Sequence, residues 1–197
     1  MLPPTTTWQR CLEEGDREGA KYTLQKALAL KPTAARHNNF ANLLSEDGDH
    51  AGAQRHYEAA IALDAGDKYA HLGLGRLLQL AFFDFAGARR EYETAVAIDP
   101  GFATARYNLA VLLASDAFGD VSGARMHYEA ALRYDPNDPA TNWNLGVLLR
   151  DHFQDYAAAR VHIEAARSSR GCRESDRKRC DAALRELAVR EKQPRSP

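Results

Sequence analysis

Ala124-Arg125-Met126-His127-Tyr128-Glu129-Ala130-Ala131 is one of four near-copies of a single segment. The others are Ala53-Gln54-Arg55-His56-Tyr57-Glu58-Ala59-Ala60, Ala88-Arg89-Arg90-Glu91-Tyr92-Glu93-Thr94-Ala95 and Ala159-Arg160-Val161-His162-Ile163-Glu164-Ala165-Ala166. A looser copy, Ala20-Lys21-Tyr22-Thr23-Leu24-Gln25-Lys26-Ala27, precedes them. The leading alanines stand at 20, 53, 88, 124 and 159, so the spacings are 33, 35, 36 and 35 residues. A fixed period of that size marks a repeat architecture. Inside each copy Ala, then Tyr, Ile or Leu, then Ala recur four and three residues apart, which places them on one face of a helix.

Each copy has a second half upstream. Phe40-Ala41, Leu74-Gly75, Leu109-Ala110 and Leu145-Gly146 pair a large residue with a small one, and Leu43-Leu44, Leu77-Leu78, Leu112-Leu113 and Leu148-Leu149 follow. Asp16, Asp49, Asp84, Asp120 and Asp155 each precede the leading alanine by four residues, where a helix N-cap belongs. Pro32, Pro100 and Pro136 close three units, because proline cannot donate to the preceding turn. Gly171 is expected to close the last through a positive φ. Each unit therefore reads as two antiparallel helices. Gly75 and Gly146 let a neighbour approach closely, and the apolar stripes are buried only by stacking. Arg89–Glu93, Arg125–Glu129 and Arg160–Glu164, four apart, read as a solvated back.

The pattern resembles the tetratricopeptide repeat family: Leu-Gly/Ala in the first helix, Gly-Asp at the turn (Gly15-Asp16, Gly48-Asp49, Gly119-Asp120), then Ala, Tyr, Ala and Asp-Pro (Asp99-Pro100, Asp135-Pro136). The resemblance implies an all-α fold, a right-handed superhelical solenoid of antiparallel helix pairs with about five units. The units read as a degenerate first at 1–32, then 33–66, 67–100, 101–136 and 137–171, a capping helix at 172–192 and a disordered tail at 193–197. Ser175 or Asp176 is the expected cap of that final helix, with Cys180, Ala183, Leu184 and Leu187 along one side. Departures from the pattern are also present. The usual aromatic of the first helix is replaced by His37, His71, Arg106 and Asn142, and Trp8 falls where a small residue belongs. The turns lengthen, from Leu44–Asp49 to Leu78–Asp84, Leu113–Asp120 and Leu149–Asp155, and Phe82, Phe118 and Phe153 are expected to cover the added backbone in preference to forming a partner-binding edge.

By the same resemblance, the first helices line a concave groove. The residues before the Leu-Gly/Ala pair are Asn39, Gly73, Asn108 and Asn144, with Asn42 and Arg76 one turn on. Asparagine offers both donor and acceptor to the backbone of an extended peptide. Tyr69, Tyr107, Trp143, Val111 and Val147 would add apolar contact. The Lys, Asn and Arg set with which some members hold the carboxylate tail of heat-shock chaperones is not found. Leu72, Tyr107 and Trp143 stand where a lysine is needed, so that partner is disfavoured.

Composition narrows the function classes. With 45% hydrophobic and 27% charged residues and a formal net charge of −1, the 197-residue chain has no global bias toward nucleic acid or an anionic membrane. Of 26 Lys/Arg and 27 Asp/Glu, residues 166–197 hold 10 and 5, leaving 16 and 22 in residues 1–165. No apolar run approaches the roughly 20 residues a membrane helix needs. Three cysteines, Cys11, Cys172 and Cys180, without metal-ligand spacing point to a reducing interior, cytoplasmic or nuclear, with the cytoplasm the expected place. His56, His127 and His162 occupy equivalent, separate places; no phosphate loop, nucleophile elbow or zinc motif accompanies them, and no enzyme, metal or cofactor is expected. Cys172 and Cys180, beside Arg173 and Arg179, read as plain packed or exposed thiols rather than activated ones. The leading reading is a scaffold or adaptor presenting a peptide or a partner helix in its groove. The alternative is a binder of nucleic acid or an acidic surface through Arg167–Arg195, and self-association through the first unit is a third.

Overall fold

The structure, a computed structural model, describes residues 7–13 and 15–190. Among them the chain forms eleven α-helices and no strand. One unit, Met1–Asp99, holds three helix pairs. They are α1 (Thr7–Glu13) with α2 (Arg17–Leu30), α3 (Ala34–Glu46) with α4 (His50–Leu63), and α5 (Lys68–Leu77) with α6 (Phe85–Ile98). The other unit, Pro100–Pro197, holds α7 (Ala103–Ala114) with α8 (Val121–Tyr134), α9 (Pro139–Asp151) with α10 (Tyr156–Ser168), and a final α11 (Glu174–Arg190). The tail at 193–197 lies outside the described residues.

The turns inside the pairs share one construction. Asp16, Asp49, Asp84 and Asp120 each accept the N–H of a glycine three residues on at 2.8 Å, and Asp155 accepts that of Ala158 at 3.1 Å. Each cap satisfies one orphan donor of a helix start and contributes typically ~1 kcal/mol over Ala. The residue before every cap has a positive φ: Gly15 (78°), Gly48 (85°), Phe83 (55°), Gly119 (60°) and Gln154 (52°). Each capping Asp then donates its own N–H back to the end of the first helix, to Cys11, Leu44, Leu78, Leu113 or Leu149. The added residues of the longer turns are thus absorbed inside a constant closure. In the α5–α6 pair they form a π-helical turn, Leu78–Phe82.

Burial follows the alanine–aromatic face. Ala20, Ala53, Ala88, Ala124 and Ala159 are fully buried, and so are Leu24, Tyr92, Leu109, Leu145 and Ile163. Each such Leu contributes roughly 1.5–3 kcal/mol relative to exposure. A Cβ on Gly75 would stand 2.7 Å from the Tyr92 ring, and one on Gly146 would stand 2.6 Å from Ile163. Only glycine lets the two helices of those pairs approach so closely. Trp8 and Cys11 pack beside Ala20, Leu24 and Leu43, which gives the short α1 a place in the core.

Three expectations need correction. α11 begins at Glu174, ahead of Ser175 and Asp176, and Arg177 N–H donates to the Arg173 carbonyl. Cys180, Ala183 and Leu187 are buried on its inner face, while Leu184 is only half-buried. Gly171 is not among the positive-φ residues; α10 ends on an extended Ser169 (φ −62°, ψ 142°), so the chain leaves without a left-handed residue. Phe118 and Phe153 are half-buried against their turns, but Phe82 is 42% exposed, beside Phe83 at 70% and Leu80 at 65%. The π turn rotates these side chains outward instead of over the backbone.

Candidate functional site

The buried second-helix tyrosines each meet an amide side chain. Tyr57 of α4 reaches across to α3, where its hydroxyl donates to Asn42 Oδ1 at 2.6 Å, and a Cβ on Gly73 of α5 would collide with its ring. Gly73 therefore replaces an asparagine for lack of room. Burial pushes the Tyr57 phenol up to about 12, with Arg76 opposing and Glu46 reinforcing. Tyr92 donates to Gln79 Oε1 at 2.8 Å, and burial raises it too. Burial likewise raises Tyr128, with an opposing hydrogen bond to Asn144. Buried phenols need a partner, and in each case an amide side chain provides it.

Beside Tyr57, α3 and α5 enclose a cleft of about 420 Å³ lined by Ala35, Asn38, Asn39, Asn42, Asp67, Tyr69, Leu72, Gly73 and Arg76. Asn39, Asn42, Tyr69 and Arg76, four of the expected groove residues, meet here. Tyr69 is 57% exposed, and Arg76 makes no hydrogen bond or ion pair among the described residues. Asn38, 9% exposed, has an Oδ1 with no hydrogen-bond donor. Asn38 and Asp67 are not among the expected groove residues. The spacing 35, 38, 39, 42 on one helix face is the sequence signal for Asn38. A second cleft of about 270 Å³ shares Asn42, Gly73 and Arg76 with the first, adds Tyr57 and continues to Leu77, Leu80 and Ala81.

In the other unit Tyr107, Trp143 and Asn144 line a cleft of about 390 Å³ with Arg173, Asp176 and Arg179 of the α11 region. Asn144 Nδ2 donates to the Tyr107 hydroxyl at 3.2 Å, and the Arg179 guanidinium lies 4.8 Å from the Trp143 ring centroid. Asn108, Val111 and Val147 line neither this cleft nor those of the first unit. The Asn108 amide donates to the Thr104 carbonyl of its own helix at 2.7 Å.

His71 is buried, with Nδ1 2.7 Å from Glu91 and Nε2 3.2 Å from the Ala65 carbonyl. His162 Nδ1 lies 2.9 Å from Asn142 Oδ1. No group of three or more His, Cys, Asp or Glu side chains that could hold a metal occurs among the described residues. Burial pushes the Cys180 thiol up, Cys172 adds to the rise, and Arg179 opposes it only weakly. At the basic end Arg167 pairs with Asp181, Arg177 and Lys178 with Glu174, Arg179 with Asp176 and Arg190 with Glu186. No described helix is long and apolar enough to cross a membrane.

The sequence profile described as Tetratricopeptide repeat matches residues 38–81, 77–125 and 116–172. No curated protein sequence matches the chain. Among solved structures, PilF of Pseudomonas aeruginosa superposes with a TM-score of 0.77 at 19% identity, over 94% of this chain and 87% of that one. TTC0263, a thermophilic repeat protein of Thermus thermophilus, gives 0.68 at 15% identity, covering 90% and 95%. YrrB, described as having an unusual peptide-binding site, gives 0.61 at 21% identity, covering 86% and 97%. Identities this low speak to fold alone.

Proposed function

Because the chain belongs to the tetratricopeptide repeat family, we propose that it is a non-catalytic scaffold that binds an extended peptide segment of a partner protein between α3 and α5. The observation that carries this reading is the meeting of Asn39, Asn42, Tyr69 and Arg76 in one cleft. The amide side chains of its wall favour an extended segment, whose backbone N–H and C=O groups are unpaired, over a partner helix, whose backbone groups are already paired. The lining runs from Asp67 to Arg76, nine residues or about 13.5 Å along α5 at 1.5 Å per residue. That length accommodates about four to five residues of an extended chain at 3.3 Å each. YrrB, similar in fold, has a peptide-binding site by its own description, which supports the class of ligand. Three unpaired thiols fit a reducing compartment such as the cytoplasm.

The test is a selection of displayed 12-residue peptides on the immobilised full chain. Enriched peptides are then measured by fluorescence anisotropy against the chain and the double variant Asn39→Ala, Tyr69→Ala. Neither side chain is buried, so helical content and melting should be preserved while affinity falls at least tenfold. Unchanged affinity in a folded double variant would remove this cleft from consideration.

A further inference from the structure

The cleft between α3 and α5 is electrically asymmetric along its length. Asn38, Asn39 and Asn42 follow the axis of α3, and Asp67, Tyr69 and Arg76 follow the axis of α5. The long axis of the cleft therefore runs parallel to the helices. Its lining has two charged side chains among the described residues, one at each end. Asp67 caps α5: its Oδ1 accepts the N–H groups of Tyr69 at 3.0 Å and Ala70 at 3.2 Å, which leaves Oδ2 without a hydrogen bond. Arg76, in the last turn of α5, presents a guanidinium with no carboxylate against it. The helix dipole opposes both signs, but its ends carry only about half a charge, too little to reverse either.

A ligand spanning the two charges must cover about 13.5 Å, the rise of nine helical residues. An extended chain advances about 3.3 Å per residue, so the matching positions are i and i+4. Those positions share one face of an extended strand, so both side chains can turn toward the protein at once, with i+2 between them over Leu72.

We propose that the cleft selects an extended segment bearing one basic and one acidic side chain four residues apart, the basic group at Asp67 and the acidic group at Arg76. This rests on the reading that the cleft holds a peptide. Either order of charges along the peptide serves, because a chain can run in either direction. Sign and spacing are the recognised features.

The experiment repeats the peptide selection on the full chain and on Arg76→Glu, which alters an exposed side chain. The intact chain should enrich opposite charges at i and i+4. Arg76→Glu should enrich two basic residues at the same spacing. A synthetic peptide with Lys and Glu at i and i+4 should bind the intact chain about fivefold more tightly than one with the two adjacent, the size of one or two partly exposed ion pairs. If binders require Asn39 and Tyr69 yet show no such spacing, or if Arg76→Glu leaves the enriched pattern unchanged, the charge-spacing inference is overturned and peptide binding in the cleft stands. Binders indifferent to Asn39 and Tyr69, or the absence of any binder, would overturn both.

Discussion

His37 and His56 face each other from α3 and α4 with their Nδ1 atoms 2.9 Å apart, and the Phe40 ring stands edge-on to His56. At that distance one imidazole donates and the other accepts, so two protonated rings cannot coexist there. Burial lowers the pKa of His37. For His56 burial acts first, then the charges of His37 and Arg55, with Asp49 opposing. His162 is lowered as well, by burial against an opposing Glu129. Folding therefore disfavours protonation of all three. The stability this contributes is fully present above the ordinary histidine value of 6.5 and is lost as the pH falls through the lowered values. Asp47 and Asp151 are also lowered, by Lys21 and Arg150, but from 3.8, so their contribution disappears in more acidic solution. The urea midpoint should fall between pH 7.5 and pH 5, and His56→Gln, which keeps a hydrogen-bonding partner for His37, should flatten that fall. An identical pH profile for the variant would show that the pair does not govern it.

At the scale of the element, the intra-pair turns are one device used five times, with glycine before the cap in three copies. Phe83 and Gln154 hold the same left-handed conformation with a side chain, which costs about 1–2 kcal/mol for a residue other than glycine. Gln154 is exposed and makes no hydrogen bond through its side chain among the described residues, so nothing offsets that cost. Gln154→Gly should therefore raise unfolding stability by about 1 kcal/mol in urea titration. A loss of stability would mean that the side chain has a role its surroundings do not display. Phe83 differs in having the Phe85 ring 6.4 Å away, so part of its cost is recovered through that contact.

At the scale of the molecule, stacked helix pairs always leave an end face uncovered unless something seals it. In the Pro100–Pro197 unit α11 packs on α10 with Cys180, Ala183 and Leu187 buried, Leu187 completely, the placement expected of a cap. Arg150 adds an exposed link to Glu186 at 3.4 Å, a minor contribution at that geometry. Ending the chain before Glu174 should cost roughly 3 kcal/mol, mainly from the lost burial of Leu187 and Cys180. A lower thermal midpoint and binding of an apolar dye are the expected readouts. A truncated chain that melts with the intact one would show that α11 is not a cap.

The sequence alone determined the helix pairs, their period, the capping aspartates and the glycines at Gly75 and Gly146. These follow from interactions within a few residues or from a size constraint repeated in register. It also singled out Asn39, Asn42, Tyr69 and Arg76, through the resemblance to a repeat family whose first helices line a groove. The tertiary structure decided which of the polar side chains are engaged internally. Asn42 is held by Tyr57, fifteen residues away, and Asn144 by Tyr107, thirty-seven away, whereas Asn108 turns back on its own helix. The outward rotation of Phe82 and the placing of Asp67 and Arg76 along one cleft were likewise invisible in the order of residues. Such features depend on how closely separate helices approach, and that distance is set by the side chains between them rather than by neighbours along the chain.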